Sequence, residues 1–255
     1  MIYIGIDIGS TASKVAIIEK DTPRFFVIPT GWNSKETANS IASKLLEDGI
    51  DVESNDVRIV ATGYGRIAVD YADFIITEIT CHGRGGRELA GDDIGIIDVG
   101  GQDTKAILLE KGMVRDFLMN DKCSAGTGKF LEVMANRLGV TIVELFQLAE
   151  KGEILPISSL CTVFAESEII NYIGEGKARE DIAAGVIDSV ATKVCQLSSR
   201  LPFPNTVILT GGLSNIEFFT KILSDKLNTK VSPMKNGKYA GALGAALLAK
   251  EKKKR

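Results

Sequence analysis

Two aspartates, Asp7 and Asp98, occupy the same place in two copies of one short pattern. Residues 4–19 read IGIDIGSTASKVAIIE and residues 95–110 read GIIDVGGQDTKAILLE. Set side by side without a gap, Gly9 falls on Gly100, Lys14 on Lys105 and Glu19 on Glu110, and Ile6, Ile8 and Ile17 meet Ile97, Val99 and Leu108. Each copy reads as an apolar strand, a glycine-containing turn and a second apolar strand, with the Asp at the end of the first. A glycine there lets backbone amides approach a ligand closely, and free amides and hydroxyls cradle phosphates. Gly9, Ser10, Thr11 and Ala12, together with Lys14, are the expected donors from one copy, and Gly100, Gly101 and Gln102 from the other. Asp7 and Asp98 are then suited to hold Mg²⁺ through its water shell. A carboxylate or Gln102 can orient an attacking water, so the predicted chemistry is phosphoryl transfer from a bound nucleotide.

Competing phosphate motifs fail on their residues. CSAGTGKF (123–130) has the outline of a Walker A loop, but Cys123 replaces its first glycine and Phe130 its Ser or Thr. HGRGGRE (82–88) lacks the dinucleotide spacing and a preceding strand. A weaker echo of the duplication links RIVATGYGR (58–66) to TVILTGGLSN (206–215), both strands running into a Thr-Gly turn.

Helices must carry these turns. NSKETANSIASKLLEDG starts with Asn33 as a cap and closes at Gly49, and KFLEVMANRLG places Phe130, Leu131, Met134 and Leu138 on one face. EDIAAGVIDSVATKVCQLSSRL is a long helix that Pro202 ends, and AGALGAALLAKEKKK is a final helix of small residues with a charged exit. Strands alternating with helices on both sides of a midpoint near residue 92 predict α/β layers in two halves around a cleft. The first half spans residues 1–91 and is joined by the C-terminal helix of about 240–255, and the second spans 92–239.

Composition sets the remaining bounds. At 45% hydrophobic and 25% charged residues the chain reads as an ordinary globular protein, and a net charge of -3 gives no reason to expect nucleic acid as partner. Ile2, Ile4 and Ile6 enter a strand without a basic, apolar leader, and no apolar run approaches membrane-spanning length, so a cytoplasmic location without membrane contact is expected. None of Cys81, Cys123, Cys161 and Cys195 forms a C-x-x-C pair, and His82 is the sole histidine. Zinc-ribbon, thioredoxin-type and Ser-His-Asp readings therefore fail.

The duplicated hairpin followed by TGG at 210–212 resembles the actin, sugar-kinase and heat-shock ATPase superfamily. That resemblance implies a duplicated ribonuclease-H-like fold binding ATP or ADP, with Gly211 and Gly212 against adenosine. TGYGR (62–66), TEITCHGRG (77–85), DVGGQDTK (98–105), NDKCSAGTGKFL (120–131), CTVFAESE (161–168) and TGGLSN (210–215) narrow it further. In this order they are similar to the activator ATPases of 2-hydroxyacyl-CoA dehydratases and the related ATPase subunits of benzoyl-CoA reductases. What the family implies is one [4Fe–4S] cluster per homodimer, with Cys123 and Cys161 as the matching ligand positions in each chain. It also implies a ferredoxin or flavodoxin as donor and an iron–sulfur dehydratase or reductase as acceptor. Four thiolates are needed where one chain offers two in well-marked settings, which a two-fold dimer supplies. Both cysteines are expected to open helices, where the positive dipole end favours thiolate. Cys81 and Cys195 are read as packed, structural thiols. A sugar-type small-molecule kinase of the same superfamily is the alternative, although the chain carries no evident sugar-binding insertion.

Overall fold

Runs of Ile and Val at alternating positions build the strands from which both Asp-bearing turns hang. The computed structural model describes residues 1–20, 22–157 and 161–252. Strand β1 (Ile2–Ile8) pairs antiparallel with β2 (Ala12–Glu19), setting Asp7 opposite Lys14. A third strand, β3 (Thr22–Pro29), extends the expected hairpin to a three-stranded meander. Helix α1 (Ser34–Glu47) begins at Asn33, whose side chain accepts from Glu36 N–H, and the chain leaves it through Gly49 at φ 80°. It leads to β4 (Val57–Thr62), which pairs parallel with β1 and brings Thr62 level with Asp7. Short β5 (Phe74–Ile75) completes a sheet of order β3-β2-β1-β4-β5, and α2 (Glu78–Ala90) follows.

The second sheet repeats the first. Strands β6 (Ile94–Val99), β7 (Thr104–Glu110), β8 (Met113–Asn120), β9 (Val207–Gly211) and β10 (Val231–Ser232) run in the order β10-β9-β6-β7-β8. Thr210 on β9 lies level with Asp98 on β6, as Thr62 does with Asp7. The repeat reaches backbone conformation: Lys20 and Lys111, at equivalent places after the second strand, both have φ 51°, and Gly63 and Gly211 of the two Thr-Gly turns have φ 84° and 83°. This doubled topology is the duplicated ribonuclease-H-like arrangement.

Between β8 and β9 lie α3 (Gly128–Leu138), α4 (Ile142–Ala149), α5 (Thr162–Gly174) and α6 (Arg179–Ser198); α7 (Glu217–Leu227) follows β9 and α8 (Ala240–Glu251) ends the described chain. Helix α6 stops at Ser198, short of Pro202. The chain divides into two compact units, one of Met1–Ile94, Ile107–Asp116 and Lys235–Arg255, the other of Gly95–Ala106 and Phe117–Met234. The first is centred on Ile4, Ile6, Val15 and Ile17 against Ala38, Ile41 and Leu45 of α1, with Ala242 and Ala246 of α8 on Ala16 and Ile18. The second gathers Phe130 and Met134 of α3, Ile187 and Val190 of α6 and Phe219 of α7 about Ile97, Val99 and Leu209. No helix among the described residues is long and apolar enough to cross a membrane.

Candidate nucleotide turns and cysteine pair

In the first unit, Asp7 closes β1 with 4% of its surface exposed. The Gly9–Ala12 turn after it is braced by Thr30: its hydroxyl donates to the Gly9 carbonyl at 2.8 Å, and its N–H donates to the Thr11 carbonyl at 3.0 Å. Ser13 joins through a 2.8 Å hydroxyl contact with Thr30. Thr11 stands exposed at the tip, with Gly9, Ser10 and Ala12 half-buried. Lys14 is half-buried and turns back over the loop, its Nζ 3.4 Å from where a Cβ on Gly9 would sit.

The second turn has the same shape and different wiring. Asp98 accepts from the Thr210 hydroxyl at 2.8 Å and pairs with Lys105 Nζ at 3.4 Å. Lys105, 1% exposed, also meets Asp103 at 2.8 Å. A lysine buried this deeply requires such carboxylates. Gly100 N–H donates to the Asp103 carbonyl at 2.9 Å, closing the turn, and Gln102 stands exposed at its tip. Gly211 is buried and Gly212 exposed, and the Gly212 N–H reaches the Val99 carbonyl at 3.3 Å. Carboxylates, hydroxyls and main-chain groups are the hard donor set that suits hydrated Mg²⁺. The parts played by Asp103 and Thr210 escaped the sequence reading; a trace of the first was present in the alignment, where Asp103 stands against Ala12.

The Gly100 and Gly101 carbonyls accept from Gly128 and Lys129 N–H at 2.9 and 2.8 Å, so the N-terminus of α3 is spent on the second turn. That is a further reason why CSAGTGKF is no phosphate loop: amides that would face a phosphate already face carbonyls. Just upstream, Thr104 Oγ1 donates to the Gly126 carbonyl at 2.6 Å inside the unit. The Thr127 hydroxyl returns to the Ser124 carbonyl, also at 2.6 Å.

Cys123 lies in this connection and does not open a helix. Gly126, at φ 89°, breaks helical geometry, so α3 starts only at Gly128. Asn120 holds the loop instead, donating to the Cys123 carbonyl at 2.8 Å and accepting from Cys123 N–H at 3.3 Å. Cys161 does open a helix, as the N-cap of α5. The neighbours of the two cysteines touch: Ser124 and Thr162 hydroxyls are 2.7 Å apart. Both cysteines are exposed, whereas Cys81 and Cys195 are buried. Burial pushes the Cys81 thiol up to about 12, helped by Asp7 and Glu78 and opposed by Thr62; it pushes Cys195 to about 11, opposed by Lys226. Those two thiols stay protonated at neutral pH. A soft, multi-iron group asks for thiolates at an accessible edge, and Cys123 with Cys161 fits one half of that requirement.

Comparison with known proteins identifies the family. The model of the BadF/BadG/BcrA/BcrD ATPase family matches residues 4–249. The activator of lactoyl-CoA dehydratase from Anaerotignum propionicum is 42% identical over 98% of each chain. Component A of (R)-2-hydroxyglutaryl-CoA dehydratase from Acidaminococcus fermentans superposes with a TM-score of 0.90 at 38% identity, over 98% of each chain. The activator of 2-hydroxyisocaproyl-CoA dehydratase from Clostridium difficile, solved with bound ADPNP, gives a TM-score of 0.90 at 37% identity over 98% of this chain and 96% of that one. Duplicated Asp-Gly turns, a doubled ribonuclease-H-like topology and a match along nearly the whole chain make this protein an ATPase of the BadF/BadG/BcrA/BcrD family.

Proposed function

We propose that the protein is a cytoplasmic, ATP-dependent reductive activator of an iron–sulfur enzyme, a 2-hydroxyacyl-CoA dehydratase or a related CoA-ester reductase. Two copies of the chain each lend Cys123 and Cys161 to one [4Fe–4S] cluster, which supplies a one-electron carrier when bound. The electron comes from a ferredoxin or flavodoxin and leaves for the partner enzyme's own iron–sulfur centre, while ATP and water become ADP and phosphate. Asp7 and Asp98 hold Mg²⁺ through water, Gly9–Ala12 with Lys14 and Gly100–Gln102 hold phosphates, Gln102 orients the attacking water, and Gly211 and Gly212 lie against adenosine.

One observation carries the reading. Inside the second unit a continuous run of hydrogen bonds leads from the Gly100–Gly101 turn through Gly128 and Lys129, and from Thr104 through Gly126, to the Cys123 loop; the Ser124–Thr162 contact then reaches the segment of Cys161. A shift of that turn with nucleotide state has a direct path to both cysteines, which coupling of hydrolysis to electron release needs. A sugar-type kinase has no use for exposed cysteines tied to its phosphate turn.

Anaerobic purification tests the proposal. A brown dimer with about four irons per two chains is expected from the Cys₄ rule. Cys123→Ser and Cys161→Ser should each lose the colour while ADP binding persists, and Cys195→Ala should keep its iron. A colourless monomer that phosphorylates a sugar would refute the activator role.

A further inference from the structure

His82 belongs to no part of the assignment above, yet its Nε2 and a carboxylate oxygen of Asp7 face the same glycine, Gly241. It is the sole histidine and is 5% exposed. Helix α8 comes close enough to α2 that a Cβ on Gly244 would fall 1.8 Å from the Cys81 carbonyl oxygen, so backbone meets backbone beside His82. One turn earlier on α8, a Cβ on Gly241 would lie 2.8 Å from Asp7 Oδ2 and 2.9 Å from His82 Nε2. The glycine thus leaves room for a carboxylate and an imidazole to converge on one point. The same Nε2 is 3.7 Å from Oε1 of Glu78, one helical turn before His82. Asp7 Oδ1 meanwhile lies over Gly63, only 2.4 Å from where that residue's Cβ would be. All of these residues belong to the first compact unit.

We propose that His82 is a positioning residue for Asp7: its Nε2 side fixes the carboxylate in the orientation through which the magnesium–nucleotide complex is held. The inference rests on the assignment of Asp7 to the hydrated cation. A buried imidazole is costly where an apolar side chain would pack, so its place between two carboxylates indicates a polar task. Partners of groups that hold a metal typically change metal affinity by about 10- to 100-fold when removed.

Calorimetric titration of the full-length protein with ADP, once in MgCl₂ and once in EDTA, measures the affinity gained from the cation. Asp7→Asn should abolish that gain. His82→Leu should lose about 10- to 100-fold of it with affinity in EDTA unchanged, which also shows that the fold is intact. His82→Gln, whose amide N–H reaches the Nε2 region, should restore most of the gain. Gly241→Ala, which wedges a methyl between the two side chains without altering either, should copy His82→Leu. A full gain in His82→Leu beside a lost gain in Asp7→Asn overturns the role of His82 alone. Equal losses in His82→Leu and His82→Gln overturn it too, since packing would then be the cause. A full gain in Asp7→Asn removes Asp7 from the cation, and the inference falls with it.

Discussion

The two halves share a topology strand for strand, and of the turn positions that differ, Ala12 against Asp103 changes the wiring. In the second half Asp103 draws Lys105 inward, and Lys105 in turn occupies Asp98, with Thr210 on the other carboxylate oxygen. The first half has Ala12 where Asp103 stands, and among the described residues Lys14 makes no salt bridge, remaining half-buried over the Gly9 loop. One lysine has become an interior counter-ion, while its counterpart stays half-buried beside the turn. The halves differ again beyond the third strand: a single helix, α1, separates β3 from β4, whereas four helices and both exposed cysteines separate β8 from β9. Duplication gave two turns of one shape, and divergence made one of them the anchor of the segment that carries Cys123.

Substitutions can break that contrast. The largest effect is expected for Asp98→Ala, which leaves Lys105 buried with only Asp103; a loss of about 3 kcal/mol in urea-unfolding stability is expected for removing one partner of an interior ion pair. Asp7→Ala should instead leave stability nearly unchanged and cut steady-state ATP hydrolysis about 100-fold. Asp98→Ala, which also removes a carboxylate from the proposed cation site, should lose hydrolysis as well, so stability is the discriminating readout: if Asp98→Ala unfolds no more easily than Asp7→Ala, the halves are not specialised as described. Ala12→Asp would install the missing carboxylate and pull Lys14 inward, so ADP affinity by calorimetry should fall about tenfold, or about 1.4 kcal/mol. Unchanged affinity would remove Lys14 from the phosphates. The smallest effect concerns the buried thiols, one per half. Each has a pKa near 9.0 when unfolded and, when folded, about 12 for Cys81 and about 11 for Cys195. The folded chain therefore holds protons that the unfolded chain releases, and stability present below pH 9 is lost as pH climbs toward 11 and 12. Cys195→Ala should flatten part of that alkaline decline in urea midpoints, and an unaltered slope would place the titration elsewhere.

Much of the fold was legible because its signals are local. The ungapped agreement of residues 4–19 with 95–110 marked the duplication, and apolar runs ending in Asp-Gly marked strands whose ends carry chemistry. Asn33 and Gly49 bounded α1 as caps do, since their side-chain and backbone geometry depends on few neighbours. The start of α3 was misjudged because the positive φ of Gly126 is set by the packing of the loop, where Thr104 holds the Gly126 carbonyl from 22 residues away. The third strand of the second meander was missed because β8 is exposed along most of its length and shows no alternation to read.

The sequence alone determined the repeat, the strand-and-turn units and which residue types stand at the turns, because these follow from neighbours along the chain. Tertiary structure decided what each charged group does. Lys14 and Lys105 are the same letter in the same motif, yet Asp103 and the burial around β6 and β7 turn one into an interior counter-ion. Likewise His82 Nε2 and Asp7 Oδ2 come to face one glycine, Gly241, only through the close passage of α8 over α2. Desolvation and partner choice depend on groups distant in sequence, and only the folded chain brings them together.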